Sequence, residues 1–387
     1  MKVHQTKKKT THTVSKSIRG YSLLLTLLLL TLLIVPFFAM GAAIEDDVKV
    51  HFQNGENTQQ TVSSEETVTA GGTMTSSHNT LVASSEPPIS SQSDSSTSSI
   101  VSTTVPTGTF RILDSIKNEV FEVDDRTFVI GTVAAEIAPT YHPEAIKAQT
   151  VAAYTYYSSL RQEQKITPNP ALKGADFAAS PSQWLTFVTE DQMREKWGVN
   201  FDSYYADLTA AIDTVLGQTL QQDGQLITAT YYAISGGTTA DAKEVFGNAR
   251  SYLIPVASPG DVYADGYRTT VILTSDEFKH AAQSAWNCTL EGDPATWVSN
   301  VTNDTSGYVS SVEIGGEPRK GTEARMVFGL RSSNFHVEYT DGNFTFYVKG
   351  YGHGVGMSQV GAAYMADQGS SYEDILAWYY PNTTLVK

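Results

Sequence analysis

FVIGTVAAEIAPTYHPEAIKAQTVAAYTYYSSL, Phe128 to Leu160, is the stretch whose reading decides the fold. Its opening is apolar and β-prone, so Thr127 to Val133 reads as a strand. A short helical turn, Val133 to Ile137, carries Glu136 and ends before Pro139, because a residue preceding proline is pushed out of the α region. Pro143 suits the first position of a new helix, where its missing N–H would go unpaired anyway. Glu144 follows in the first turn, where the helix dipole favours an anion. Ala145, Ala148, Ala152 and Ala153 make that helix narrow enough for another backbone to approach closely. Glu136 therefore sits at a break between elements, beside a closely packed helix. A catalytic acid belongs in such a place, and so does an ordinary capping carboxylate; local pattern leaves both open.

Outward from that unit, the rest of the folded part mixes strands and helices without regular βαβ alternation. Phe110 to Ile116 and Glu119 to Val123 read as strands turned at Lys117-Asn118, and Leu226 to Ala233 as a buried strand running into Ser235-Gly236-Gly237. Glu190 to Trp197, Ser203 to Leu216, Ser275 to Trp286 and Met357 to Asp367 read as helices. Tyr267 to Leu273, Val298 to Asn303 and Gly307 to Ile314 read as strands, and Asn334 to Tyr339 with Asn343 to Val348 as a hairpin. Ser370 with Glu373 forms a capping box for a last helix, which stops before Pro381. The expected fold class is α+β, a mixed sheet with packed helices.

The N-terminal third has another character. Residues 1–20 hold Lys2, Lys7, Lys8, Lys9, Lys16 and Arg19 and no acid, a basic cytoplasmic segment; Tyr21 to Met40 is uncharged and leucine-rich. Twenty such residues span a bilayer as a helix, and the basic flank keeps the N-terminus inside. Residues 21–40 thus read as a transmembrane anchor or uncleaved signal in a single-pass membrane protein with an extracytoplasmic C-terminal domain. Ala39-Met40-Gly41 and Ala42-Ala43 also fit a cleavage site. Residues 44–107 turn to Ser, Thr, Gln and Asn, a composition that cannot bury enough apolar surface to fold. About 60 residues of this kind form a tether with a reach of roughly 40 Å. The domain expected to fold is 110–387.

The whole chain carries −15, and without the six basic residues of its first segment it holds 20 Lys and Arg against 41 Asp and Glu. Such an excess argues against nucleic acid, whose phosphates require a basic footprint. Cys288 is the only cysteine, so neither an internal disulfide nor a cysteine-based zinc cluster can form. His142, His280 and His336 fall in no metal-ligand spacing, and no acidic calcium loop or cofactor motif is present.

The most unusual local pattern is GYGHGVGMSQVGAAY, Gly350 to Tyr364. Glycines at every second position, followed by a helix, point to a backbone that approaches something closely or takes positive φ. A dinucleotide fingerprint fails here, because only about 30 residues follow and the βαβ unit cannot form. His353 lies between two of the glycines, and Ser358 and Gln359 start the helix.

Together these segments resemble the sporulation stage II protein D (SpoIID/LytB) family. The resemblance is carried, in order, by FVIGTVAAEI with HPEAIKAQTVAAYTYY, SGGTTADAKEVFG, YLIPVASPGD, GYVSSVEIGGEPRKGTEARMVFGLRSSNFHV, GYGHGVGMSQVGAAYMADQG and ILAWYYPNTTLVK. It implies a peptidoglycan lytic transglycosylase that needs no cofactor and cleaves stem-peptide-free glycan strands during engulfment. The implied partner is a peptide-removing amidase or endopeptidase; other family members modify an amidase. The resemblance assigns the catalytic carboxylate to Glu136. It implies a groove lined by Lys147, Gln149, Ser235, Gly236, Gly237 and His353, with Ser358 and Gln359 beside them; Lys147 either holds a lactyl carboxylate or is a solvated helix lysine. One family position departs: where an arginine is usual the chain has Tyr154, which could stack on a sugar ring. Some members bind zinc through cysteines and histidines, and the lone cysteine argues against that here.

Overall fold

The computed structural model describes residues 108–179 and 186–387; the expected anchor at 21–40 and tether at 44–107 lie outside the described residues. Among the described residues no helix is long and apolar enough to cross a membrane.

The domain opens with a hairpin, β1 (Thr109–Asp114) and β2 (Glu119–Asp124), turned by Asp114, whose Oδ1 accepts from the amides of Ile116 and Lys117. Strand β3 (Phe177–Ala179) joins β1 in parallel. Where a strand was expected at Thr127–Val133, the chain forms helix α1, Asp125–Glu136. Asp124 caps it, accepting from the Thr127 amide at 3.0 Å. Phe128 through Ala134 are all buried, so the helix shows no polar face from which its period could be read. It stops at Glu136, as Pro139 requires. Helix α2 (Pro143–Ile166) starts where expected, with Pro143 in the first turn, and runs past Leu160 for a length of about 36 Å.

Helix α2 separates two cores. Ala145, Ala148, Val151 and Ala152 face one of them, and Ile146, Tyr154 and Tyr157 the other. The second core gathers the β1–β3 sheet, α1, α3 (Glu190–Trp197) and α4 (Phe201–Asp213). The first is built with C-terminal elements: β4 (Thr219–Gln222), β5 (Gln225–Leu226), β6 (Tyr231–Tyr232) and α5 (Ala242–Phe246) meet the last helices against the alanine face of α2. The alanines have the packing role their size suggested.

Between these parts, β7 (Arg268–Thr274), α6 (Ser275–Trp286), β8 (Val298–Asn303), β9 (Val309–Ile314), β10 (Glu317–Arg319), α7 (Gly321–Val327), β11 (Phe335–Thr340) and β12 (Asn343–Lys349) enclose a third core. Phe278 is at its centre, 4.0 Å from the Phe344 ring and 4.5 Å from that of Phe328. The chain ends with β13 (Met357–Ser358), α8 (Gln359–Asp367), α9 (Tyr372–Tyr379) and β14 (Thr384–Val386), which pairs back onto β4.

The α+β class holds, but the expected mixed sheet is divided, among the described residues, into five sheets of two or three strands. The long strand read at Leu226–Ala233 is reduced to Gln225–Leu226 and Tyr231–Tyr232. Met357–Ser358, read as the start of a helix, pairs in parallel with Tyr231–Tyr232 instead. The last capping box is formed by Ser371 with Asp374, one residue beyond the expected pair.

Candidate active site

Glu136 is the last residue of α1, next to the seam between the two cores that α2 divides. The residue keeps partial access to solvent, while its carboxyl lies among buried rings and burial pushes it up to about 7. Tyr156 and Tyr157 of α2 and Tyr231 of β6 stand close enough to feel its charge, and burial is the first cause holding all three phenols above their usual range. Gln359 Nε2 approaches Glu136 Oε2 at 3.4 Å, the interaction that opposes burial by favouring the charged form. The carboxyl is thus a weak acid near neutral pH with one amide donor beside it.

Gln359 is placed by the glycine stretch. The period-two glycines run along residues 230–236, and the reason for glycine is close packing. At Gly350, with φ +80°, a Cβ would lie 2.7 Å from the Ile234 carbonyl oxygen; at Gly356, with φ +85°, it would strike the Thr230 carbonyl. Reciprocal bonds between Ile234 and Tyr351, at 3.0 and 2.7 Å, join the segments. The chain then enters α8, which Ser358 caps by accepting from the Gly361 amide at 3.2 Å.

Below this crossing lies Asp261, fully buried, which the sequence reading named only within the YLIPVASPGD segment. Ser358 donates to its Oδ1 at 2.5 Å, Ser235 to its Oδ2 at 2.7 Å, and Ser258 to the same oxygen. The Tyr379 hydroxyl stands 2.6 Å from Ser258 Oγ. Burial pushes Asp261 up while the three serines pull it down. One carboxylate therefore ties Ser235-Gly236-Gly237 to the start of α8.

His353 has both ring nitrogens engaged. Its Nδ1 accepts from the Val355 amide at 3.1 Å, so Nε2 carries the hydrogen and donates to the Tyr231 carbonyl at 3.0 Å. Burial and the nearby Arg325 bring it down to about 3, so it is neutral at physiological pH. Its geometric effect is to hold the backbone of Tyr231, whose phenol faces Glu136. Gly236 is held by the Tyr308 hydroxyl, which receives its amide hydrogen, and by the Tyr267 hydroxyl, which donates to its carbonyl at 3.0 Å.

The other expected groove residues are placed differently. Lys147 pairs with Glu144 at 2.7 Å, and Glu144 also receives the Tyr372 amide at 2.8 Å, an arrangement that straps α2 to α9. Gln149 is 1% exposed, and neither amide atom has a hydrogen-bond partner among the described residues. Such a group calls for an internal water. Tyr154 is 7% exposed, and its hydroxyl donates to Asp125 Oδ2 at 2.8 Å while Arg161 holds Oδ1 at 2.8 Å. Asp125 begins the helix that Glu136 ends, eleven residues or about 16 Å away. Its phenol lies edge-on to Phe110 in the second core. Tyr154→Phe is accordingly expected to cost about 1–2 kcal/mol of stability. A thermal melt on that variant checks it; an unchanged midpoint would show that the hydroxyl's bond to Asp125 adds nothing to the fold.

The family model for SpoIID, described as stage II sporulation protein, matches residues 115–221, the part containing Glu136, Lys147, Gln149 and Tyr154. The chain is 32% identical over 259 residues to stage II sporulation protein D of Bacillus subtilis (strain 168), covering 67% of this chain and 73% of that protein. It is 33% identical over 254 residues to the protein of the same name from Bacillus amyloliquefaciens, covering 65% and 71%. A third relative, an amidase enhancer of Bacillus subtilis, is 26% identical over 305 residues, 66% of this chain and 40% of that protein.

Proposed function

The chain belongs to the stage II sporulation protein D family, and from that premise we propose that it is a lytic transglycosylase acting on peptidoglycan strands freed of stem peptides. The observation that carries the reading is the enclosed Glu136 carboxyl, pushed up to about 7 by burial. Ordinary glycosidases divide the work between two carboxylates. Here burial and Gln359 are the influences on Glu136, and no second carboxylate acts on it among the described residues. A lytic transglycosylase needs only one such group. Protonated Glu136 donates to the oxygen between N-acetylmuramic acid and N-acetylglucosamine, and the bond from that oxygen to the muramoyl anomeric carbon breaks. The carboxylate so formed takes the proton of the muramoyl 6-hydroxyl, whose oxygen closes the 1,6-anhydro ring. Glu136 ends protonated, as it began. An intramolecular hydroxyl replaces water as nucleophile, which removes the entropy cost of bringing in a second molecule.

We place the enzyme outside the cell, tethered through residues 44–107 to an anchor at 21–40, acting in sporulation beside an amidase that strips peptides from its substrate. Incubating the full-length protein with stem-peptide-free strands and searching the products for anhydromuramoyl ends by mass spectrometry tests the reading; intact strands would sink it. A second reading, favoured by the similarity to an amidase enhancer, is that the same groove binds glycan without turnover and assists an amidase. Binding without products in the same experiment selects it.

The titration of Glu136 adds a pH signature. The acid must be protonated when substrate arrives, so kcat/KM is expected to be level on the acid side and to fall tenfold per pH unit above about 7. A profile that stays level to pH 9 would remove Glu136 from the acid's role.

A further inference from the structure

We propose that Arg331, lying on the face of Tyr351 beside the glycine loop, forms an anion subsite that takes the lactyl carboxylate of a muramoyl residue whose stem peptide has been removed. The inference rests on the glycan-strand reading above and names the group by which such a strand is told from a peptide-bearing one.

The guanidinium carbon of Arg331 stands 4.1 Å from the centre of the Tyr351 ring. Arg331 is half-buried; its Nε is shielded from solvent and has no hydrogen-bond partner among the described residues. No carboxylate among those residues pairs with it, and Tyr351 is the one ionisable group acting on it. Asp265, next in the chain to Gly266, is exposed and leaves the guanidinium alone. The space is nonetheless shaped for this side chain. A Cβ on Gly266 would lie 2.8 Å from Arg331 Nη1, and Gly266 takes φ +75°. A second arginine, Arg325, is buried nearby and also acts through Tyr351. The chain has net charge −15, yet among the described residues no carboxylate stands against Arg331. Half-burying a guanidinium without an acid costs stability, and a ligand carboxylate offsets that cost.

The position suits the substrate. Segment Arg331–Asn334 is laced to the start of the glycine loop: the Arg331 carbonyl receives the Gly352 amide at 3.0 Å, and the Asn334 carbonyl receives the Lys349 amide at 2.8 Å. The same loop continues through His353 to Gln359, the residue that reaches Glu136. The loop therefore joins the segment that carries Arg331 to the residue that reaches the acid. Lys147, already paired with Glu144, is not needed for the carboxylate. An amide-linked stem peptide removes the negative charge that Arg331 would read.

The test is binding by the full-length chain carrying Glu136→Gln, which holds strands without cutting them. Three ligands of equal length are compared: stem-peptide-free muramoyl strands, the same strands bearing peptides, and neutral N-acetylglucosamine oligomers. The free-carboxylate strand is expected to bind about tenfold tighter than the other two, and 1 M salt should erase most of the difference. Adding Arg331→Gln should equalise the three affinities without moving the thermal midpoint enough to unfold the protein; Arg331→Lys, which keeps the charge, should restore part of the preference. Equal binding of all three by the Arg331 protein overturns the subsite and leaves the transglycosylase reading standing. So does an Arg331→Gln loss common to all three ligands. Failure to bind any of them overturns both.

Discussion

Glu136→Gln is expected to lower the rate of anhydromuramoyl formation by about 10²–10⁴-fold while the domain stays folded. The amide matches the carboxyl in shape and still accepts from Gln359, so its surroundings keep their form and only the proton donor is lost. Stability gives an independent check on the cause. In the unfolded chain this carboxyl titrates near 4.5, and in the fold near 7. Between those values the folded protein holds a proton that the unfolded chain has released, so stability linked to this group is full below about 4.5 and is lost as pH rises through 7. Above pH 7 the wild type bears a buried charge that the Gln variant lacks. The difference in thermal midpoint, variant minus wild type, should therefore grow from pH 4.5 to 7 and then level. Taking the difference matters, because capping carboxylates such as Asp124 and Asp374 are held low and act with the opposite sign on the absolute curve. A variant that still makes anhydro ends, or a difference curve that falls over this range, would separate Glu136 from the chemistry.

The position of Glu136 was legible although its element was misread. Pro139 ends whatever precedes it, and Pro143 begins the next helix, so the carboxylate at the break followed from two prolines. The strand expected at Thr127–Val133 failed because Phe128 to Ala134 are all buried, and a run with no wet residue loses the period that distinguishes helix from strand. The clue that went unread was Asp124-Asp125 just ahead of the run, a helix-start pattern. The glycine stretch was legible as close approach, and its partner, Thr230 to Ser235, became visible only in three dimensions. Tyr154 shows the limit of reading by resemblance. A residue at the position of a family arginine was expected in the groove, and the fold gives its hydroxyl to Asp125. Asp261 was beyond reach for a different reason. Nothing in Ser-Pro-Gly-Asp says that serines 26 residues before it and 97 residues after it will converge on that carboxylate.

That convergence makes Asp261 the residue whose loss should be felt furthest from its own side chain. Asp261→Ala removes the acceptor shared by Ser235, Ser258 and Ser358. Ser258 keeps Tyr379, and Ser358 keeps the Ala233 carbonyl at 3.3 Å, so compensation is partial. Removing a costly buried carboxylate also returns some stability. The net loss is expected at about 2–4 kcal/mol, or about 5–15 °C in thermal midpoint for a domain of this size. Asp261→Asn, which keeps the volume and one acceptor, should lose less than half as much. A further consequence separates positioning from mere fragility. Ser358 caps α8 and Gln359 is its first residue, so a loosened cap withdraws the one donor that draws Glu136 downward. Glu136 should then titrate higher, and the alkaline limb of the pH–rate profile should move up from about 7 even in the fraction of molecules that remains folded. A protein that is only less stable loses activity at every pH in proportion. If Asp261→Ala lowers the rate with the limb unmoved, the buried carboxylate supports the fold and has no hold on the acid.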